Sequence, residues 1–182
     1  MGSLSLRMTS GSSAVHSDMV MWHYDETPEQ AAFQLTNVLF AVPQISVKWQ
    51  LLNEGQREMI RAYTDLWIAY RDTLLGGEML YKSYANNFPY VSARSEKTQI
   101  GAVYAGQNAY IEVPTDEIVI VNASLDSRVC VQCGEEAEYT YRISDCRGRE
   151  TGTGVLALGG ALAIPVIPQV PVNGVIRLTR TR

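Results

Sequence analysis

The chain has 182 residues, of which 46% are hydrophobic, and carries a formal net charge of -4 with a pI near 5.2. This length is enough for one large domain or two small ones with a buried core. The basic residues are scattered and form no run or stripe, so nucleic acid is not an expected partner.

Two segments bear on where the protein is found. The first thirteen residues, Met1–Ser13, are rich in Ser and Gly and contain no apolar block of the length that a signal peptide needs. The most apolar segment, Val155–Val175, is interrupted by Gly159, Gly160 and three prolines, which would break a spanning helix repeatedly. We therefore expect a cytoplasmic protein with no membrane segment.

The cysteines do not form a convincing metal or redox site. Cys130 and Cys133 make a single CxxC with no second pair and no neighbouring His, whereas a zinc ribbon needs four ligands. They also lie three apart in an alternating strand pattern, which points their side chains to opposite faces. The pattern favours packed, reduced cysteines, and neither a metal nor another cofactor is predicted.

The first half of the sequence alternates between strand and helix patterns. The segment from Ser13 to Met21 suits a buried strand. Thr27 is a good N-cap, Pro28 fits the first helical position and Gln30 completes a capping-box spacing, so a helix is predicted to begin there. Its apolar residues recur at helical spacing until Pro43 ends it.

A second unit of the same kind follows. The pattern predicts a short strand over Gln44–Trp49 and a long amphipathic helix from about Asn53 to Leu75, ended by two glycines. Strand, helix, strand, helix is the repeat of a parallel β/α fold. Only two units are present, and a closed eight-unit barrel takes roughly 250 residues. The first half therefore cannot form a complete barrel.

After Gly77 the pattern changes to short alternating runs separated by turn residues, which is typical of an antiparallel β-sandwich. We predict an α+β protein with β/α units over residues 1–77 and a sandwich over residues 78–182. The predicted strands are Val91–Ser95, Gln99–Tyr104, Ala109–Val113, Glu117–Asn122, Arg128–Gln132, Tyr139–Ser144, Arg149–Leu158, Ala161–Val166 and Val172–Thr179.

Several stretches carry a resemblance to a known family. They are Leu6–Gly11, Ala14–Met19 with the run His-Ser-Asp-Met, Met21–His23, Val42–Val47, Tyr70–Leu75, Asn122–Ser124 and Asp145–Gly148. Together they resemble the C-terminal third of the bacterial α-galactosidases of glycoside hydrolase family 36, and the resemblance extends from about Leu6 to Leu178. The run His-Ser-Asp-Met followed by Trp-His is its most specific part.

The resemblance implies a fold and an activity. The first half would be the last β/α units of a TIM-type barrel, and the second half the terminal β-sandwich of the same enzyme. The complete enzyme would be a hydrolase of carbohydrate metabolism that cleaves α-galactosides with two aspartates on earlier barrel strands. Both catalytic carboxylates would then be missing here, so no catalytic residue is predicted and the chain is not expected to be active alone.

Three residues are predicted to contact substrate in the complete enzyme. Asp18 is expected near the carboxyl end of a barrel strand, where barrel active sites are built, and His16 shares its face by the two-residue period. Trp22, in the following loop, could stack on a sugar ring. The alternatives are a core histidine, a strand-end Asp that binds loop backbone, and a Trp that packs over the end of the barrel.

Two other classes of function remain open from the sequence. The first is a non-catalytic carbohydrate-binding module, whose exposed aromatic side chains would line one sheet face. The second is a structural or oligomerisation module that braces a barrel, so a homo-oligomer is a possible state.

Overall fold

The computed structural model describes residues 2–11, 13–81, 88–106, 108–159 and 169–181. It has a mixed α+β fold in which a seven-stranded sheet carries helices on one face and a two-stranded sheet on the other. The helices are α1 (Gly2–Thr9), α2 (Pro28–Thr36) and α3 (Glu54–Gly76), with a 3-10 turn at Trp49–Leu51. The strands are β1 (His16–Val20), β2 (Val42–Ile45), β3 (Glu78–Tyr81), β4 (Tyr90–Arg94), β5 (Thr98–Val103), β6 (Asn108–Ile111), β7 (Glu117–Asn122), β8 (Cys130–Cys133), β9 (Ala137–Ser144), β10 (Glu150–Leu158) and β11 (Val175–Arg180).

The large sheet has the strand order β10-β9-β11-β7-β5-β4-β3. Its neighbours are antiparallel except β5 and β7, which run parallel. The expectation of a wholly antiparallel sandwich is therefore wrong here, and it is also wrong in the second layer, where β6 and β8 run parallel. After β5 the chain crosses to the second layer, where it forms β6, the partner of β8. It then returns to the large sheet as β7, which runs in the same direction as β5.

The middle of the large sheet is buried on both faces. Alternate residues of β7 show this, because Val119 and Val121 belong to the core beneath the helices, whereas Ile118 and Ile120 belong to the core shared with β6 and β8. Successive side chains of a strand point to opposite faces, so a strand between two layers needs apolar residues at every position. This is the reason for the continuous apolar run in β7.

The first two strands form a separate pair. β1 and β2 are parallel and are connected through α2, which makes one β/α unit. Helix α2 begins as predicted: Thr27 Oγ1 accepts from the Gln30 amide at 3.2 Å, and Gln30 Oε1 accepts from the Thr27 amide at 2.9 Å. The helix ends at Thr36, before Pro43, which lies within β2. The pair is not part of a closed barrel.

Helix α3 connects the two halves of the chain. It begins after the N-cap Asn53, as predicted, and its buried residues pack with both α2 and the large sheet. The Tyr63 hydroxyl donates to the carbonyl of Asn173 at 2.7 Å, and Trp67 Nε1 donates to the carbonyl of Ala41 at 3.0 Å. One hydrophobic cluster therefore contains residues from both sides of the predicted domain boundary at residue 77.

Most predicted strands agree with the structure to within a few residues, and Glu117–Asn122 matches at both ends. Helix α1 and strand β3, an edge strand of four residues, were not predicted from the sequence. The strand predicted at Ala161–Val166 lies outside the described residues.

Candidate functional site

The carboxyl ends of β1 and β2 lie at the same edge of their sheet because the two strands are parallel. In β/α barrels this edge is where loops build the active site. The loop after β1 runs from residue 21 to residue 27, and the loop after β2 runs from residue 46 to residue 53. The two loops touch, since the Lys48 amide donates to the Tyr24 hydroxyl at 3.0 Å. We call this region the strand-end site.

Helix α3 holds the first of these loops. Gln56 is fully buried in its first turn, and Nε2 of this side chain donates to the carbonyls of His23, Tyr24 and Glu26 at 3.4, 3.3 and 2.8 Å. These carbonyls are partly buried, and Gln56 replaces hydrogen bonds to water that packing removes. Gln56 therefore acts as the main polar contact between α3 and the strand-end site.

His16 and Asp18 are both exposed on β1, on either side of the buried Ser17. Nε2 of Gln44, on β2, lies 3.5 Å from Nδ1 of His16. Asp18 Oδ1 accepts from the backbone amide of Met19 at 2.8 Å. The two predicted site residues therefore have solvent-facing side chains on one strand, with His16 at its first residue and Asp18 two residues before its end.

Trp22 lies in a different environment from His16 and Asp18. Its side chain is 8% exposed and belongs to the core beneath the helices. Its indole nitrogen is buried and has no hydrogen-bond partner among the described residues. This placement matches the alternative in which Trp22 packs, and its ring is not presented to solvent beside His16 and Asp18.

An exposed Trp that the sequence analysis did not select lies after β2. Trp49 is 42% exposed in the 3-10 turn, and the guanidinium carbons of Arg57 and Arg61 lie 5.8 and 5.6 Å from its ring centroid. Cations at this distance over an aromatic face are attracted by the ring quadrupole. Trp49 was predicted to be the last residue of the strand Gln44–Trp49. Trp49 lies four residues before the helix N-cap Asn53, and this short distance favoured a turn over a strand.

His23 and Asp25 form the other polar pair of the strand-end site. His23 Nδ1 lies 3.4 Å from Asp25 Oδ2, and both side chains are largely exposed. An exposed pair of this kind contributes little to stability. It places an imidazole and a carboxylate at the carboxyl-end edge, whereas His16 lies at the opposite end of β1.

The cysteines are distant from this chemistry. Cys130 is buried and Cys133 half-buried in β8, and both are free thiols. Burial raises the pKa of each, so both are protonated at neutral pH. Burial and the neighbouring Glu29 raise the pKa of Cys146 to about 12. Within the described ranges, His, Cys, Asp and Glu form no cluster of three or more that could hold a metal ion.

A comparison with models of known protein families and with curated protein sequences finds no match for this chain. In the part of the chain that the structure describes, no helix is both long and apolar enough to cross a membrane.

Proposed function

We propose that this chain is the C-terminal part of an α-galactosidase-like glycoside hydrolase. In this proposal, β1, α2 and β2 belong to the last β/α units of its barrel, and the large sheet with the β6–β8 layer is its terminal β domain. The observation that carries the proposal is the parallel β1–β2 pair, because neither strand has a second partner among the described residues.

A parallel pair of this kind is incomplete by itself. Parallel strands are normally buried on both faces and have neighbours on both edges. Here Met19 is 62% exposed, Met21 is 57% exposed and Ile45 is 36% exposed. Further barrel strands would pair with the open edges and cover these side chains, which supports the interpretation as part of a barrel.

The carboxylates of the strand-end site fit substrate binding better than bond cleavage. A retaining glycosidase needs two carboxyl groups about 5 Å apart, one to attack the sugar and one to protonate the leaving oxygen. Asp18 and Glu26 each accept a backbone N–H, from Met19 and His23, and Asp25 lies beside His23. We therefore assign His16 and Asp18 to hydrogen bonds with sugar hydroxyls and assign the chemistry to aspartates on earlier strands.

The test uses the whole polypeptide encoded by the reading frame that contains this chain. We expect it to hydrolyse a chromogenic α-galactoside, and Asp18→Asn to raise KM more than it lowers kcat because it removes a substrate contact. The matched control is Asp72→Asn, which removes an exposed carboxylate on α3. The chain alone should show no turnover. Turnover by the chain alone that Asp18→Asn abolishes would contradict the proposal.

A second function, non-catalytic carbohydrate binding, is favoured by one specific feature. A cavity of about 160 Å³ beside β3 is lined by Tyr81, Tyr90, Tyr110 and Glu112 among others. Tyrosine rings and a carboxylate can contact the C–H face and the hydroxyls of a sugar. Titration of the chain with galactose would detect it, and Tyr81→Ala, at a 48% exposed position, should weaken binding if this cavity is used.

A further inference from the structure

Strands β9, β10 and β11 form a concave surface on the large sheet, on the face that also carries α3. It is open to solvent, has a volume of about 700 Å³, and its lining includes Glu117, Arg142, Thr153, Arg177 and Thr179. Three of these residues are charged, two Arg and one Glu, which leaves the surface with a net charge of +1. A candidate site for a ligand thus lies far along the chain from β1.

The two arginines of this surface face each other across neighbouring strands. Arg142 on β9 is the register partner of Arg177 on β11 in an antiparallel pair. Directly opposed residues have their Cβ atoms roughly 5 Å apart, and like charges at this position destabilise a sheet. A negative charge placed between the two guanidinium groups would remove this cost.

The described residues supply such a charge only in part, through Glu117 on the same surface. Every ion pair in the described part of the chain involves other groups, so neither guanidinium lies within 4.0 Å of a carboxylate there. Glu117 is held by the Tyr70 hydroxyl, which donates to its Oε1 at 2.6 Å. Burial and Glu117 raise the pKa of Tyr70 to about 12, while the neighbouring Arg177 acts in the opposite direction. Tyr70 is thus a neutral donor that keeps the carboxylate in place.

The surrounding groups complete a polar surface. Thr153 is the register partner of Arg142 on its other side, and Thr179 lies two residues after Arg177. Both threonines are exposed, as is Arg142, whereas Arg177 is half-buried. Guanidinium groups bind planar or tetrahedral oxyanions through paired N–H donors, and hydroxyl groups can add single hydrogen bonds.

We propose that Arg142 and Arg177 form a binding site for an oxyanion, either a carboxylate or a sulfate group, on the open face of the large sheet. The anion would lie between the two guanidinium groups and remove their mutual repulsion. Its source is either an acidic sugar, whose hydroxyls would meet Thr153 and Thr179, or a free inorganic anion.

The experiment is a calorimetric titration of the chain at low ionic strength with sodium sulfate, D-galacturonate and, as the neutral probe, D-galactose. We expect the two anions to bind and galactose not to bind at this site, with affinity falling as sodium chloride is added. Tighter binding of galacturonate than of sulfate supports the acidic sugar as the source. Equal binding supports a free inorganic anion.

The variants locate the site. Arg142→Thr and Arg177→Thr should each weaken anion binding about tenfold or more, because each removes charge-assisted hydrogen bonds. Arg142→Lys should retain part of the affinity, since it keeps the charge. The control Arg71→Ala removes an exposed arginine on α3 and should leave binding unchanged.

Arg142 is exposed, so its variants test the site even where Arg177→Thr impairs folding, and a urea transition verifies that each variant is folded. The proposal is overturned if neither anion binds, if Arg142→Thr binds as well as the parent chain, or if Arg71→Ala weakens binding as much as Arg142→Thr does.

Discussion

Gln56 shows how a single buried polar side chain positions the strand-end site. Its amide group serves three loop carbonyls, and no other residue on α3 makes this contact in the described structure. We expect Gln56→Ala to lower the free energy of unfolding by about 1–3 kcal/mol, because the partly buried carbonyls of Tyr24 and Glu26 lose the donor that Gln56 supplies. Urea denaturation measures this change, and amide exchange in residues 23–26 should rise with it.

The matched control for this prediction is Gln50→Ala, which truncates an exposed glutamine outside α3. Its effect should stay within about 0.5 kcal/mol, as for most surface substitutions. Equal losses for the two variants would mean that Gln56 does not hold the loop.

The second residue-scale prediction concerns Arg142, whose substitution we expect to stabilise the protein. Arg142→Thr removes one of two directly opposed positive charges and introduces a residue that strands favour. We expect the free energy of unfolding to rise by about 0.2–1 kcal/mol at low salt and the gain to shrink in sodium chloride. Thermal unfolding at two salt concentrations measures it. A variant less stable than the parent at low salt would show that the pair is not repulsive.

These residues also mark what could not be predicted from the sequence. His16 and Asp18 were found by period-two spacing along one strand, and the structure exposes both. Arg142 and Arg177 are 35 positions apart, and only the register of β9 with β11 brings them together. A local pattern does not contain that register, which depends on the long-range order of the sheet.

At the scale of elements, local capping signals predicted helix starts well. Thr27 and Gln30 satisfy each other's backbone amides at the start of α2. Thr27→Ala should lower the free energy of unfolding by about 1 kcal/mol, because the Gln30 amide loses its acceptor. Chemical denaturation provides the measurement.

Thr64→Ala, at an exposed position within α3, is the control and should have no destabilising effect. An unchanged midpoint for Thr27→Ala would rule out a stabilising role for the capping box.

Elements without such signals were missed or displaced. The strand predicted at Gln44–Trp49 begins two residues earlier in the structure, as β2 over Val42–Ile45. Pro43 fits within β2 because its nitrogen faces the edge of the strand that has no partner among the described strands. The last residue of the predicted strand, Trp49, lies in a 3-10 turn instead. Strand β3 has four residues and lies at the sheet edge, where neither burial on both faces nor alternation marks the sequence.

At the scale of the whole molecule, the position of α3 decides how the chain can be divided. Tyr63 and Leu66 of α3 belong to the same core as Val91 and Val119 of the large sheet. Residue 77 was predicted as a domain boundary because strand and helix patterns give way there to short strands. That pattern reports local structure and does not show which surface α3 covers.

This shared core yields the last prediction, which compares two shortened chains. A chain of residues 53–181 keeps α3 over the sheet, and we expect it to unfold in one cooperative transition. A chain of residues 88–181 would expose the sheet face that contains Val91, Val119 and Val121, so it should bind an apolar dye and self-associate. Thermal unfolding, dye fluorescence and light scattering distinguish the two. A compact 88–181 chain with no dye binding would show that the β domain is complete without α3. It would also show that the boundary at residue 77 separates two independent folding units.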